Sequence, residues 1–396
     1  MRILLVSEDI PGPWLGGLAR QAVRLGNALL ERGHAVTLMG LKTPTDSPQC
    51  NVGFNGPFVA GFDFKGCGWK EHKFGVFLPY RRPQVAKRVA RAILERAGDF
   101  DVVHYHGHLP MVGRYIPAHV NFVQTRHDAG SECPIHLRFR NGRPCAATDP
   151  RACAACATPR PNSLQRAVTG FAVRQYRQQA ADAFSRHKTI FVSDFLRRSF
   201  DRVVPGERSR TTFVVHNFLD LRTLPTRPPL ERPARITRVA IVARLDNGKG
   251  VEAVLEQRPA HIAVDIVGDG PQRAATEQRF ASPLVRFHGW RSEAQTMEHV
   301  LAADALVMPS LLEEAFGMST LEGLALGKPV FALARGATPE LRRYERWDGQ
   351  LSLYSTMEEL VRALADRPLL TGEYREFQGD AARLLPQVLA VYEARP

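Results

Sequence analysis

Short apolar runs alternate along the chain with stretches of helical periodicity, and the runs are continuous rather than alternating in polarity. Ile3 to Val6 reads as a buried strand, about Gly17 to Arg32 as a helix, and Ala35 to Met39 as a second strand. The pattern resumes after residue 236. Val239-Ala-Ile-Val, Val264-Asp-Ile-Val, Leu284-Val-Arg-Phe and Asp304-Ala-Leu-Val-Met each form a strand that ends in a turn or loop. Strand-helix alternation of this kind predicts α/β architecture, parallel sheets with helices on their faces. At 396 residues the chain exceeds the usual single-domain range, so two domains are expected. Residues 1–218 form the first and 237–375 the second. Between them, 219–236 form a linker, rich in proline and without a period from Thr223 to Ile236. Residues 376–396 carry a last helix, around Ala381 to Ala394.

Two stretches of the first domain admit more than one use. As a helix, Arg81 to Arg96 sets Val85, Val89, Ala92 and Ile93 on one face, with Lys87, Arg88 and Arg91 at the flank and back. It either packs on its own sheet or lies on an anionic membrane surface, and packing is the expectation. Between Asn51 and Tyr80 stand Phe54, Phe58, Phe62, Phe64, Trp69, Phe74, Phe77 and Tyr80. They suit paired strands inside the domain, or a surface for a ring-shaped or apolar ligand.

The densest candidate chemistry lies in Glu314-Ala-Phe-Gly-Met-Ser-Thr-Leu-Glu322, followed by Gly323-Leu-Ala-Leu-Gly327-Lys-Pro329-Val. A loop ends at Phe316-Gly317-Met318 and a helix begins, offering free N–H groups and a partial positive charge to an anion. Two carboxylates beside such a site suit hydroxyl donors, a sugar and a ribose, while the helix end takes a diphosphate. Upstream, Val239-Ala-Ile-Val-Ala-Arg244-Leu-Asp-Asn-Gly-Lys249-Gly250 runs from a strand through a turn into a helix. Arg244 and Lys249 thus leave the strand's carboxyl end together, where open α/β sheets bind ligands. These features describe a nucleotide-sugar site.

The Glu-x7-Glu pattern with its Phe-Gly, the trailing Gly-x-Pro-Val and the upstream Arg-Leu-x3-Lys-Gly closely resemble the signature of the retaining glycosyltransferases of family 4. That family has the GT-B fold, two Rossmann-like domains facing an interdomain cleft. The resemblance implies Arg244 and Lys249 on the donor's diphosphate, Glu314 on the transferred sugar and Glu322 on the ribose. Phe316, Gly317 and Met318 form the helix entrance, and His288 and Gly289 lie where the base is held, largely by backbone. Gly16 and Gly17, just before the first helix, match a family Gly-Gly whose bare backbone lets a diphosphate or acceptor approach. His127, in Gln-Thr-Arg-His127-Asp128, matches a histidine that reaches the sugar near the scissile bond. On its own, the dipeptide also reads as a structural histidine bonded to Asp128. In the family the last helix crosses back to the first domain. Phe218 departs from the pattern, standing where the family has a glycine between the domains.

Cys133, Cys145, Cys153 and Cys156 follow the His-Asp, within 131–160, and a subset of the family carries a similar cysteine-bearing insertion there. Cys153 and Cys156 have the C-x2-C spacing that lets two thiolates bind one tetrahedral zinc. A structural zinc, reduced thiols and a disulfide pair all fit the pattern. Cys50 and Cys67 read as unpaired. His104, His106 and His108 have a spacing that suits a metal, but no carboxylate or cysteine joins them. Asp99-Phe-Asp101 looks like a metal-binding D-x-D, yet it precedes its strand, at the wrong end for a site.

A net charge of +13, from 53 Lys and Arg against 40 Asp and Glu, calls for an anionic partner or surface. No helix-turn-helix, zinc-finger or RNP signature points to nucleic acid. No apolar run approaches the roughly 18 residues of a membrane span, and the N-terminus turns acidic too soon for a signal peptide. A cytoplasmic location, with room for peripheral membrane contact, is expected. The expectation is therefore a metal-independent retaining transferase that moves a hexose-type sugar from a UDP-sugar. The acceptor is a sugar, a lipid-linked sugar or an aglycone, and catalysis needs no cofactor. A non-catalytic sugar-nucleotide or partner-binding protein on the same fold is the alternative.

Overall fold

The computed structural model describes residues 1–11, 16–42, 53–63, 78–158, 160–225, 235–366 and 374–394, with backbone alone at 78–83, 157 and 366. The chain divides into two compact units. The first comprises Met1–Arg138, Cys145–Asn217 and Ala381–Pro396, the second Phe139–Pro144 and Phe218–Asp380.

The strands up to residue 214 are β1 (Arg2–Ser7), β2 (Ala35–Leu41), β3 (Phe58–Phe62), β4 (Val102–His106), β5 (Phe122–Arg126), β6 (Phe139–Arg140), β7 (Arg143–Pro144), β8 (Lys188–Phe191) and β9 (Thr212–Val214). β6 and β7 pair only with each other, antiparallel. The other seven form one parallel sheet in the order β3-β2-β1-β4-β5-β8-β9. The helices of this part are α1 (Gly17–Glu31), α2 (Leu78–Leu94), α3 (Ala154–Ala157), α4 (Ser163–Arg186) and α5 (Asp194–Val203). β4 and β5 are buried along their whole length, as strands covered on both faces must be.

α1 buries Leu18, Ala22, Leu25 and Leu29, a helical stripe facing the sheet. At Gly26 a Cβ would stand 2.6 Å from the Phe54 ring and 3.1 Å from Leu5, so only glycine lets Phe54 pack there. α2 commits Val85, Ala86, Val89, Ala90 and Ile93 to the core with Leu4, Phe62, Met111 and Phe122. Burying such side chains contributes about 1.5–3 kcal/mol each for the larger ones, so this stripe is not available to a membrane. The charges stay outside: Arg88 bonds Asp63 and Lys87 lies 5.5 Å above the Tyr115 ring. The described part of the aromatic stretch forms a paired strand inside the first unit. Phe58 and Phe62 sit on the single strand β3, which pairs parallel with β2, a strand that precedes the stretch. Phe64, Trp69, Phe74, Phe77, the Tyr80 side chain, Cys50 and Cys67 lie outside the described residues.

The second unit has β10 (Arg238–Val242), β11 (Ala263–Val267), β12 (Val285–Gly289), β13 (Ala305–Met308), β14 (Val330–Leu333) and β15 (Leu351–Tyr354). They form a parallel sheet in the order β12-β11-β10-β13-β14-β15. Its helices are α6 (Val251–Gln257), α7 (Arg273–Phe280), α8 (Glu293–Ala302), α9 (Met318–Ala325) and α10 (Met357–Asp366). The chain's last helix, α11 (Ala381–Glu393), belongs to the first unit. There the Tyr392 hydroxyl meets His104 Nδ1 at 2.7 Å, and Asn121 and Lys188 donate to the Tyr392 carbonyl, each at 3.0 Å. Asp101 of the D-x-D accepts from the backbone N–H and guanidinium of Arg2 at 2.7 and 2.9 Å. It is thus a clip at the amino ends of β1 and β4. Among the described residues, no helix is long and apolar enough to cross a membrane.

Both sheets reverse their strand order once near the middle, between β1 and β4 in one and between β10 and β13 in the other. Loops diverge at the carboxyl ends of such strand pairs and leave a crevice for ligands.

Candidate active site

In the second unit, the loops after β10 and β13 carry Lys249 and Glu314, and the structure brings these two together. Lys249 Nζ donates to Glu314 Oε1 at 2.7 Å, with side chains 23% and 17% exposed. Burial pushes the Glu314 carboxyl up, but the ammonium beside it outweighs this and holds it below its ordinary value, so it is ionised at neutral pH. Glycines make the approach possible. Gly250 caps α6 with φ +68°, and a Cβ there would stand 2.1 Å from the Pro309 carbonyl oxygen. The N–H groups of Leu311 and Leu312 donate to the Gly248 carbonyl at 2.8 and 3.1 Å, tying the two loops. On the other side, Ala337 N–H donates to the Glu314 carbonyl at 2.8 Å. A Cβ on Gly336, at φ +58°, would stand 2.3 Å from that oxygen.

Gly317 begins α9 at φ +96° and no side chain caps the helix. Its first N–H groups are therefore offered outward, with no acidic residue in the first turn. Beside them, Thr320 Oγ1 is buried and has no hydrogen-bond partner. Glu322, one turn on, is 6% exposed, and Met318 is half-buried. The Phe316 side chain is buried in the fold and anchors the loop. Arg244 shares Lys249's loop but is 70% exposed and leans toward Asp246, 3.6 Å away, not toward Glu314. The His288 imidazole is engaged elsewhere: Nε2 bonds Asp265 at 2.7 Å and the ring packs 4.0 Å from that of His299. The His288 Nε2 is thus committed to Asp265, although the side chain stays 20% exposed. Gly268 and Gly270 lie against the carbonyls of Ala243 and Leu245, where a Cβ would stand 1.9 and 2.3 Å away. This turn therefore packs directly on the strand end that carries Arg244.

In the first unit, Gly16 and Gly17 start α1, again without a side-chain cap or an acidic first turn. Nothing lies within 4 Å of where a Cβ would stand on either, so packing does not demand glycine there. His127 follows β5, and its Nε2 meets His106 Nδ1 at 3.0 Å. His106 lies 4.1 Å, ring to ring, from His104, whose Nε2 bonds Thr125 Oγ1 at 2.7 Å. Burial drives all three imidazoles down, His106 to about 3, so they are uncharged at neutral pH. His106 therefore holds His127, and the reading of His127 as bonded to Asp128 is corrected.

Asp128 has other partners. His108 Nδ1 lies 2.7 Å from it and His108 Nε2 lies 3.3 Å from Asp9. Burial lowers the imidazole's pKa, but the two carboxylates outweigh it and hold His108 well above its ordinary value. Asp128 is held well below the carboxylate range by His136 and His108 against its own burial, and it also accepts from Gly130 N–H at 2.7 Å. Glu8, bonded by the Tyr105 hydroxyl and by His108 N–H, is pushed up to about 7 by burial. Donor atoms of His108, Asp128 and His136 lie within 4.8 Å of one another, the one metal-competent group among the described residues. His136, Arg138 and Asn141 are also the only non-glycine positions with positive φ among those residues, so the insertion's strain sits beside this cluster. The sequence marks His106 and His108 only as a metal-suited spacing that lacks a carboxylate, which Asp128 supplies to His108 in the fold, and it does not mark Asp9 or His136. The signal was position, since Glu8-Asp9 and the His-x-His-x-His both sit at carboxyl ends of strands.

Cys153 lies within electrostatic reach of Cys133, Cys145 and Cys156, which gathers the insertion's four cysteines in one region, although they do not form a close-set metal-competent group among the described residues. The Cys133 thiol is pushed up to about 11 by burial. The Arg177 guanidinium reaches Cys153 Sγ at 4.0 Å and donates to the carbonyls of Glu132 and Thr148 at 2.9 and 2.6 Å. Arg138 donates to the Cys145 carbonyl at 2.9 Å. Arginines thus hold the insertion together.

Comparison with known proteins agrees with this layout. Residues 15–223 match the family described as Glycosyltransferase Family 4, and residues 237–367 that described as Glycosyl transferases group 1. The chain is 23% identical over 201 residues to a GDP-mannose-dependent alpha-(1-6)-phosphatidylinositol dimannoside mannosyltransferase of Mycobacterium tuberculosis, covering 48% of this chain and 52% of that protein. It is 31% identical over 153 residues to a D-inositol 3-phosphate glycosyltransferase of Streptomyces coelicolor, covering 34% and 31%. The chain thus spans about half the length of these relatives, or less. Among solved structures, it resembles Anabaena HepE in complex with UDP-glucose, with TM-score 0.59, 19% identity and coverage of 92% and 88%. It also resembles sucrose-phosphate synthase from Thermosynechococcus elongatus, with TM-score 0.60, 18% identity and coverage of 99% and 95%. Two Rossmann-like units in this order make the GT-B fold, and the chain belongs to the GT-B glycosyltransferase family.

Proposed function

We propose that this protein is a retaining glycosyltransferase that moves a hexose-type sugar from a UDP-sugar to an acceptor hydroxyl without a catalytic metal. The observation that carries the reading is the Lys249–Glu314 pair, 2.7 Å apart and followed by the uncapped start of α9. It sets a cation for the diphosphate beside an ionised carboxylate for sugar hydroxyls. Arg244, Lys249 and the α9 N–H groups neutralise the departing diphosphate, which is the charge stabilisation a metal would otherwise supply. Glu322 takes the ribose hydroxyls, and Glu314 and His127 hold the transferred sugar. Because His127 is uncharged, it offers a hydrogen bond to a sugar oxygen rather than a proton to the leaving group.

The acceptor hydroxyl attacks on the leaving-group side. The bond from the anomeric carbon to the phosphate oxygen breaks as the bond to the acceptor oxygen forms, the diphosphate takes the hydroxyl proton, and configuration is retained. The acceptor is a sugar, a lipid-linked sugar or an aglycone. A relative is named for GDP-mannose and a structural neighbour holds UDP-glucose, so the base is the point to test first. Calorimetric titration with UDP, GDP and ADP, repeated on Arg244→Ala and Glu322→Ala, is expected to give selective UDP binding that both variants weaken. Selective GDP binding would replace the donor base alone. Binding of none of the three would overturn the donor site and favour a partner-binding protein.

A further inference from the structure

The first two turns of α4 stand clear of the protein. Every residue from Asn162 to Val168 is exposed, and burial begins only at Thr169. This is a formed helix start, because Asn162 and Gln165 make a reciprocal capping box with both bonds at 2.9 Å. Yet it presents Leu164, Val168 and Phe171 to solvent at 72%, 38% and 58% exposure. Leu164 and Phe171 are the two most exposed large apolar side chains among the described residues. Spaced four and three apart, the three form one stripe along the helix, while Val173 and Tyr176 face the core from the other side. Single exposed apolar residues are ordinary, but a stripe holding the two extreme cases is not.

The charge around the stripe is one-sided. From Glu132 to Asp182 the sequence has eight arginines against three carboxylates, Glu132, Asp149 and Asp182. Arg151, Arg160, Arg166 and Arg174 are exposed and form no ion pair with any described residue. The Arg151 stem lies over Gly170, where a Cβ would stand 2.6 Å from its Cγ, which brings this cation next to Phe171. An apolar stripe bordered by unneutralised guanidinium groups fits a surface that is apolar and polyanionic at once. A bilayer of anionic lipids has this character, with phosphates above acyl chains.

We propose that the projecting start of α4 docks on an anionic lipid bilayer. Leu164, Val168 and Phe171 enter the boundary between headgroups and acyl chains, and Arg151, Arg160, Arg166 and Arg174 meet lipid phosphates, their stems lying along the apolar layer. This inference stands apart from the sugar-transfer reading, since none of these residues belongs to the candidate site.

The test is flotation of the full chain with phosphatidylcholine vesicles, with and without phosphatidylglycerol. Binding to the anionic vesicles alone, weakened by salt, is expected. A Leu164→Ser/Phe171→Ser double variant and an Arg166→Gln/Arg174→Gln double variant are each expected to lower the partition by at least about tenfold, with thermal unfolding unchanged because the altered side chains are exposed. Failure of the parent chain to bind anionic vesicles would overturn the proposal, as would binding that both variants retain. Light scattering that finds a dimer without vesicles, converted to monomer by Leu164→Ser/Phe171→Ser, would assign the stripe to a second copy of the chain and also overturn it.

Discussion

Replacing Glu314 by Gln is expected to tighten binding of the free nucleoside diphosphate while abolishing sugar transfer. The Lys249 ammonium is neutralised by the Glu314 carboxylate at 2.7 Å, and a diphosphate must draw on the same cation. The bare attraction of unit charges is bounded at about 4 kcal/mol for 4 Å at an effective dielectric of 20. The net worth of a charge-assisted hydrogen bond is smaller, about 1.5–3 kcal/mol. Gln keeps the shape and one accepting oxygen, so the lower end applies, and about 1.5 kcal/mol of competition is released. That corresponds to about a tenfold lower Kd. Lys249→Ala does the reverse: it removes the cation and leaves a carboxylate facing the phosphates, weakening binding by more than about tenfold. Calorimetry with UDP and GDP on the parent and both variants reads this directly, with donor turnover measured beside it. If Glu314→Gln weakens binding as Lys249→Ala does, Glu314 is not the competitor for this cation and its assignment to the sugar fails.

Three further outcomes are expected. Glu132 is pushed up to about 7 by burial from an ordinary 4.5, so the unfolded chain releases its proton first. Its contribution is full below about pH 4.5 and is lost as pH rises to about 7, by up to about 3 kcal/mol. Glu132→Gln should therefore gain in melting temperature relative to the parent between pH 5 and pH 8, and a gap constant with pH would refute this. His106→Leu removes the partner of His127 Nε2 and should lower kcat about threefold to tenfold, the worth of one neutral hydrogen bond. Diphosphate affinity should not move, and an equal loss of it in calorimetry would mean general misfolding. Gly317→Ala forces a side chain into φ +96°, so urea unfolding should show about 1–2 kcal/mol less stability. An unchanged midpoint would mean that the start of α9 relaxes to another conformation.

Where each functional group rests on its own neighbours in sequence, it was legible. The apolar runs that end at Val242 and Met308 gave two strands of one sheet, and the loops leaving them carry Lys249 and Glu314 to contact. The α2 stripe likewise followed from its period. The histidine cluster was not legible, because its partners are brought together by register between strands. β4 and β5 run parallel with His104 beside Val123 and His106 beside Thr125. His104 then reaches two residues further, to Thr125, and His106 two residues further, to His127. These are diagonal neighbours on one face of the sheet. Adjacent residues at a strand end point to opposite sides, which is why Asp128 does not hold the histidine next to it and instead meets His108 and His136. A slip of one residue between β4 and β5 would turn His127 to the other face and break the pair. The uncharged, oriented imidazole assigned to the sugar therefore depends on the pairing of two strands whose sequences, taken one at a time, show only three histidines in alternation and a His-Asp.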